Sequence, residues 1–174
     1  EKNSQDSSDD FAEHVQSMTN VSTDASNLER LNRWDAAFSL FKARPHVGWG
    51  PGTYQFVYAP YQDPGMKTII STNAADKGNA HSEYIGPLAE QGWPGAAIML
   101  LLVGMVIYTG IRLYIQLEDR NLAVLAMVMV LALITYFAHG FLNNFLDTDK
   151  ASIPFWGFIA ALVALDVKAK KKAS

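Results

Sequence analysis

Three apolar runs without a single charged residue, 96–111, 121–138 and 153–165, constrain this chain more than any other feature. Inside a bilayer such a run must satisfy its backbone N–H and C=O groups within itself, which makes each run a helix. With Trp93 and Leu113 added, the first is about long enough to cross a hydrocarbon core of roughly 30 Å. The third is short unless the lysines from Lys168 to Lys172 snorkel at its end. The pattern predicts an all-α polytopic membrane protein with spans at about 93–113, 121–139 and 152–167, and with Pro154 in the first turn of the last.

Averaged composition hides this division. The 174 residues are 49% hydrophobic with a mean hydropathy of +0.04, values ordinary for a soluble domain. They average a membrane half over 93–174 with residues 1–92, where Asp and Glu outnumber Lys and Arg. Residues 1–26, rich in Ser, Asp and Asn, read as a mobile acidic linker, and 27–92 as a loop region with amphipathic helices. The net charge of −3 offers nothing to a nucleic acid. The absence of cysteine excludes a disulfide framework and thiolate metal sites. The chain starts with neither an initiator Met nor a leader, so the reading expects earlier membrane segments upstream. Most basic residues of the membrane half lie in "RLYIQLEDR" and "KAKKKAS", which places both in the cytoplasm and residues 1–92 with "HGFLNNFLDTDKAS" outside.

The loop region opens with "SNLERLNRWDAAFSLFKARP". Ser26 and Glu29 have the spacing of a capping box. Leu31, Trp34, Phe38 and Phe41 then recur at helical spacing until Pro45, giving about four turns. Arg30, Arg33 and Ala37 form a stripe beside them. Two uses fit this helix: a membrane-surface element with snorkelling arginines, or a phosphate grip by Arg30 or Arg33, whose planar forks match phosphate oxygens. Next comes "VGWGPGTYQFVYAPYQDPG", where Gly48, Gly50 and Gly52 predict tight turns. No GK[ST] follows, so it is not a nucleotide loop. Its aromatic side chains, Trp49, Tyr54, Phe56, Tyr58 and Tyr61, suit either the headgroup level or stacking on sugars. Residues 63–79 read as loop.

In "HSEYIGPLAEQGWPG" the pattern turns helical again from His81, so that His81, Tyr84, Ile85 and Leu88 share one face and Glu83 and Glu90 lie on another. Gly86-Pro87 would weaken that helix, and Gly92 with Pro94-Gly95 would close it before the membrane. His81 is then either a packed interfacial residue or a catalytic base at the membrane edge. The histidines His14, His46, His81 and His139 show no ligand spacing, and no G-x-S-x-G elbow exists, so no metal or cofactor is expected. His139 reads as a structural, hydrogen-bonded group near Asn143, Asn144, Asp147 and Asp149.

Taken together, His81-Ser82, nine residues, and Gly92-x-x-Gly95 resemble the H-[NSQ]-x9-G-x-x-G signature of the bacterial O-antigen ligase and polymerase superfamily. Arg30-x3-Trp34 and Pro45-x-x-Gly48-x-Gly50 resemble that superfamily's upstream helix and turn, so the likeness covers about residues 28–113. It implies a metal-independent glycosyltransferase of the bacterial inner membrane, inactive as this piece alone. Such an enzyme passes a glycan from undecaprenyl diphosphate to an acceptor hydroxyl in the periplasm. The acceptor is lipid A core in ligases, another repeat unit in polymerases and a protein side chain in oligosaccharyltransferases. By position His81 would be the general base, Arg30 the arginine on the diphosphate, and Arg33 a second candidate. The reading of another class is a non-catalytic membrane protein whose outer loop binds a glycan.

Overall fold

The computed structural model describes residues 25–69, 71, 78–147 and 149–173. The expected linker over 1–26 falls almost wholly outside these, as do His14 and the side chain of Ser26. The described residues are helical, with no strand among them. Helix α1 is Ala25–Ala43, α2 the single turn Tyr54–Val57, α3 Ile85–Gln116, α4 Arg120–His139 and α5 Asp149–Ala173. Helices α3, α4 and most of α5 are each long and apolar enough to cross a membrane.

The membrane half packs by shape. Val106, Gly110 and Leu113 of α3 face Ala126, Met129, Val130 and Leu133 of α4, and Phe155 and Leu162 of α5 close the cluster. A methyl on Gly110 would overlap the Val130 side chain, so α3 and α4 touch where the smallest residue lies, the usual device where lipid tails compete as apolar solvent. Asp119 caps α4 by accepting from Asn121 N at 2.9 Å and Leu122 N at 3.3 Å. At the far end Arg112 of α3 pairs with Asp166 of α5. Helix α5 starts five residues before Pro154, so that proline lies inside the helix and not in its first turn.

The loop region forms its own small core on top of α3, from Ala36, Ala37 and Leu40 of α1, Tyr54 and Tyr58, Ala80, and Ala89 of α3. Two expectations change here. The aromatic side chains mostly fill this core: Tyr54 and Tyr58 are buried and stacked at 5.1 Å, and Trp49 meets Tyr61 edge-on at 6.0 Å, while Phe56 stays exposed. The inward face of α1 is Glu29, Asn32, Arg33, Ala36, Ala37 and Leu40, whereas Leu31 and Phe38 of the anticipated apolar stripe are 39% and 41% exposed. Small alanines let α1 approach closely, and Glu29 and Arg33 neutralise each other when buried.

Candidate active site

The site is framed by a backbone clasp. Gly50 N donates to Glu90 O at 2.7 Å, and Trp93 N donates to Pro45 O at 2.9 Å. Gly48 has φ 61° and Gly92 φ 70°, in the left-handed region that glycine alone tolerates freely. A Cβ on Gly48 would lie 2.2 Å from the Glu90 carbonyl carbon, and one on Gly92 would lie 2.3 Å from Pro45 O. The Glu90 carboxylate then accepts from Gly52 N at 2.8 Å and Tyr54 N at 2.9 Å. The P-x-x-G-x-G turn and the G-x-x-G break are thus two sides of one contact. The anticipated closure of the helix at Gly92 is present as a kink with non-helical dihedrals, after which α3 continues as the membrane segment.

His81 does not lie on a helix. It sits in a turn at φ 45°, a strained conformation for a residue with a side chain, and α3 begins only at Ile85. The periodicity that put His81 on one face with Tyr84, Ile85 and Leu88 is therefore overturned. Gly86 and Pro87 open the helix, where a proline N–H is not needed, and do not weaken its middle. The turn is held at every residue. His81 N donates to Asn79 Oδ1 at 3.1 Å, and Trp34 Nε1 donates to Ala80 O at 2.9 Å. The buried Ser82 hydroxyl accepts from Tyr84 N and Ile85 N, each at 3.3 Å, which explains a small polar residue after the histidine. Glu83 N donates to Gly140 O at 2.8 Å, Tyr84 OH to Phe137 O at 2.9 Å, and Tyr136 OH to Glu83 Oε1 at 2.9 Å. The end of α4 is the anvil on which the turn is fixed. Beside it Asn143 Nδ2 donates to His139 Nε2 at 3.2 Å, so His139 has the hydrogen-bonded place read from sequence.

Arg33 Nη1 lies 3.2 Å from His81 Nε2. A guanidinium can only donate, so Nε2 offers its lone pair and the neutral ring carries its proton on Nδ1. Burial, then the charge of Arg33, then that of Arg30 push the His81 pKa down to about 4, with Glu29 opposing. Arg33 is the more committed of the two arginines. Its Nε donates to Glu29 Oε1 at 2.7 Å, its Nη1 also reaches Asn79 O at 3.4 Å, and its plane lies 5.7 Å from the Tyr58 ring centre. Among the described residues Arg30 donates to the Asn27 amide oxygen at 3.3 Å, and its buried Nε has no partner there. Among the described residues no carboxylate pairs with it.

The three residues singled out from sequence thus converge, with Arg33 directly on the imidazole. Sequence reasoning missed Glu29, read there only as a cap; its carboxylate points instead to Arg33, Ser71 and Thr68. The Glu29–Arg33 spacing of four on one helix was the signal available. Beside the His81 turn a cavity of about 570 Å³ opens, lined by Tyr54, Gln55, Asn79, Glu83, Glu90 and Asn144 among others; no Lys or Arg is among the described residues that line it, and His81 is not one of them.

A family model described as O-antigen ligase matches residues 5–100. No curated protein and no solved structure matches the chain. The match takes in the arginine helix, the clasp glycines and the His81 turn, and spans more than half of the sequence, so this chain belongs to the O-antigen ligase family.

Proposed function

We propose that this chain carries the periplasmic catalytic loop of a membrane glycosyltransferase that moves a glycan from undecaprenyl diphosphate to an acceptor hydroxyl, in lipopolysaccharide or surface-polysaccharide assembly. The observation that carries the reading is the Arg33–His81 contact at 3.2 Å with Arg30, which pairs with no carboxylate among the described residues, beside it. A diphosphate leaving group needs positive charge, and an alcohol nucleophile needs a base. Arg30 has charge and a free buried N–H to offer the diphosphate. As the donor arrives, its negative charge offsets both guanidiniums, and its oxygens compete for Arg33 Nη1, which uncovers Nε2. The acceptor hydroxyl then gives its proton to Nε2 as its oxygen bonds the anomeric carbon. The bond from that carbon to the diphosphate oxygen breaks, undecaprenyl diphosphate leaves, and the imidazolium later returns its proton to water.

The amides and carboxylates that line the cavity beside the His81 turn, Gln55, Asn79, Asn144, Glu83 and Glu90, suit the hydroxyls of a neutral acceptor sugar. Guanidiniums fill on this reading the charge-neutralising role that a metal has in other transferases. The basic residues Arg120, Lys168, Lys170 and Lys171 lie at the end opposite the site, which favours that end as cytoplasmic in an inner membrane. This piece alone is inactive on the same reading.

The test is transfer by purified full-length protein from a lipid diphosphate donor to an acceptor. His81→Ala lowers turnover by about 10²-fold or more at normal expression. Arg30→Lys also fails, since an ammonium lacks the fork, and a chelator changes nothing. Near-normal product from His81→Ala would sink the reading.

A further inference from the structure

We infer that Glu29 is a positioning residue for this chemistry: it pins the Arg33 guanidinium beside the imidazole, where the donor's oxygens can draw Nη1 off Nε2, and it supplies a negative charge that favours the imidazolium. The inference rests on His81 being the base. Glu29 is 3% exposed, yet it is ionisable and lies on the inward face of α1. A carboxylate is costly there unless its oxygens are engaged. Oε1 accepts from Arg33 Nε at 2.7 Å, while Oε2 accepts from the Ser71 hydroxyl and, at 3.5 Å, from Thr68 Oγ1. One edge of the Arg33 fork is thereby pinned, and its rigid plane carries Nη1 to the imidazole.

A bystander pair would have no reason to end on the histidine. Among the described residues the charged groups that act on His81 are Arg33, Arg30 and Glu29, all on α1, and of these Glu29 favours its protonated form. Two guanidiniums make the resting imidazole a poor proton acceptor. With the donor bound, Glu29 and the diphosphate together oppose them. Removing the charge of Glu29 therefore lowers the proton affinity of His81, with two consequences of opposite appearance. The acid limb of the rate profile moves to lower pH, because the base stays unprotonated further down, and the plateau falls, because a weaker base takes the proton less readily.

Glu29→Gln keeps the shape and can still accept from Arg33 Nε, so it isolates the charge. In the full-length protein we expect a plateau kcat at least about tenfold lower and an acid limb displaced downward, with donor KM changed less than kcat. A loss of plateau with an unmoved limb overturns the inference, as does a normal profile. Breaking one side of a buried pair can unfold a protein, whereas removing both charges is tolerated better, so the second variant is Glu29→Gln/Arg33→Gln. It should be slower than Arg33→Gln by less than the factor Glu29→Gln costs the wild type, because the positioning part of the Glu29 effect passes through Arg33; rates that multiply fully overturn the idea. His81→Ala is assayed in parallel. If it retains transfer, the underlying reading fails; if it is inactive while Glu29→Gln leaves the limb in place, only the role of Glu29 fails.

Discussion

The loop region and the membrane half use the same alphabet in opposite ways. Above the membrane, α1 buries Glu29, Asn32 and Arg33 and leaves Leu31 and Phe38 partly exposed. In the membrane half, α3 and α4 bury Val106, Ala126 and Leu133 and turn Leu100, Leu101, Met105 and Leu131 outward. Each choice follows from the solvent. In lipid an outward leucine is neutral and packing selects small or well-fitting residues. In the loop region the interior is given instead to a salt bridge and hydrogen bonds, and alanines beside them supply the close approach. The lesson is that an apolar stripe marks the inward face only when burial of apolar area is what the helix is for.

The largest effect that tests this contrast is all or none. Single cysteines at Ile69, exposed in the loop, and at Lys171, at the far end of α5, should respond oppositely to a membrane-impermeant thiol reagent in intact cells. The first is labelled and the second protected, and labelling at Lys171 would put the histidine on the wrong face for a lipid-linked donor. Next in size is glycine replacement. Gly92→Ala forces a side chain into φ 70° and against Pro45 O. The strain alone costs about 1–3 kcal/mol, so the loop should lose protease resistance while the helical circular dichroism of the membrane half stays. Gly104→Ala, with open space around it, should be neutral or stabilising by about 0.5–1 kcal/mol. Equal damage from the two would erase the distinction between clasp and span.

A smaller effect concerns pH. The unfolded chain protonates His81 near its ordinary pKa of 6.5, whereas the folded loop refuses the proton until about 4. That stability is present above 6.5 and is lost as pH falls toward 4. Loop unfolding followed by protease susceptibility at pH 7.5 and 5 should show a steeper loss for wild type than for His81→Gln. Parallel losses would mean that the imidazole is not held neutral, and the Arg33 contact would need another meaning.

Much of the outline was readable along the chain because it is local. Charge-free runs specify helices whatever their neighbours, Pro45 stops α1, and Gly92 breaks α3 where its turn chemistry requires. The pairing of His81 with the arginines came from the resemblance to the superfamily's motifs. Periodicity failed at His81 and on α1 for one reason: it assumes that a helix starts where the pattern starts and that its apolar side faces in. The start was set by Ser82 reaching Tyr84 N and Ile85 N, and by Glu83 docking on the end of α4, residues more than fifty positions away. The inward face of α1 was set by what waits across the gap, His81 and the hydroxyls of Thr68 and Ser71. Sequence alone determined which segments are helices, where glycine is compulsory and which side chains have the chemistry. Tertiary structure alone decided that Glu29 and Arg33 are a buried pair ending on an imidazole, because the energy of a buried charge depends on partners that only the fold brings within hydrogen-bond reach.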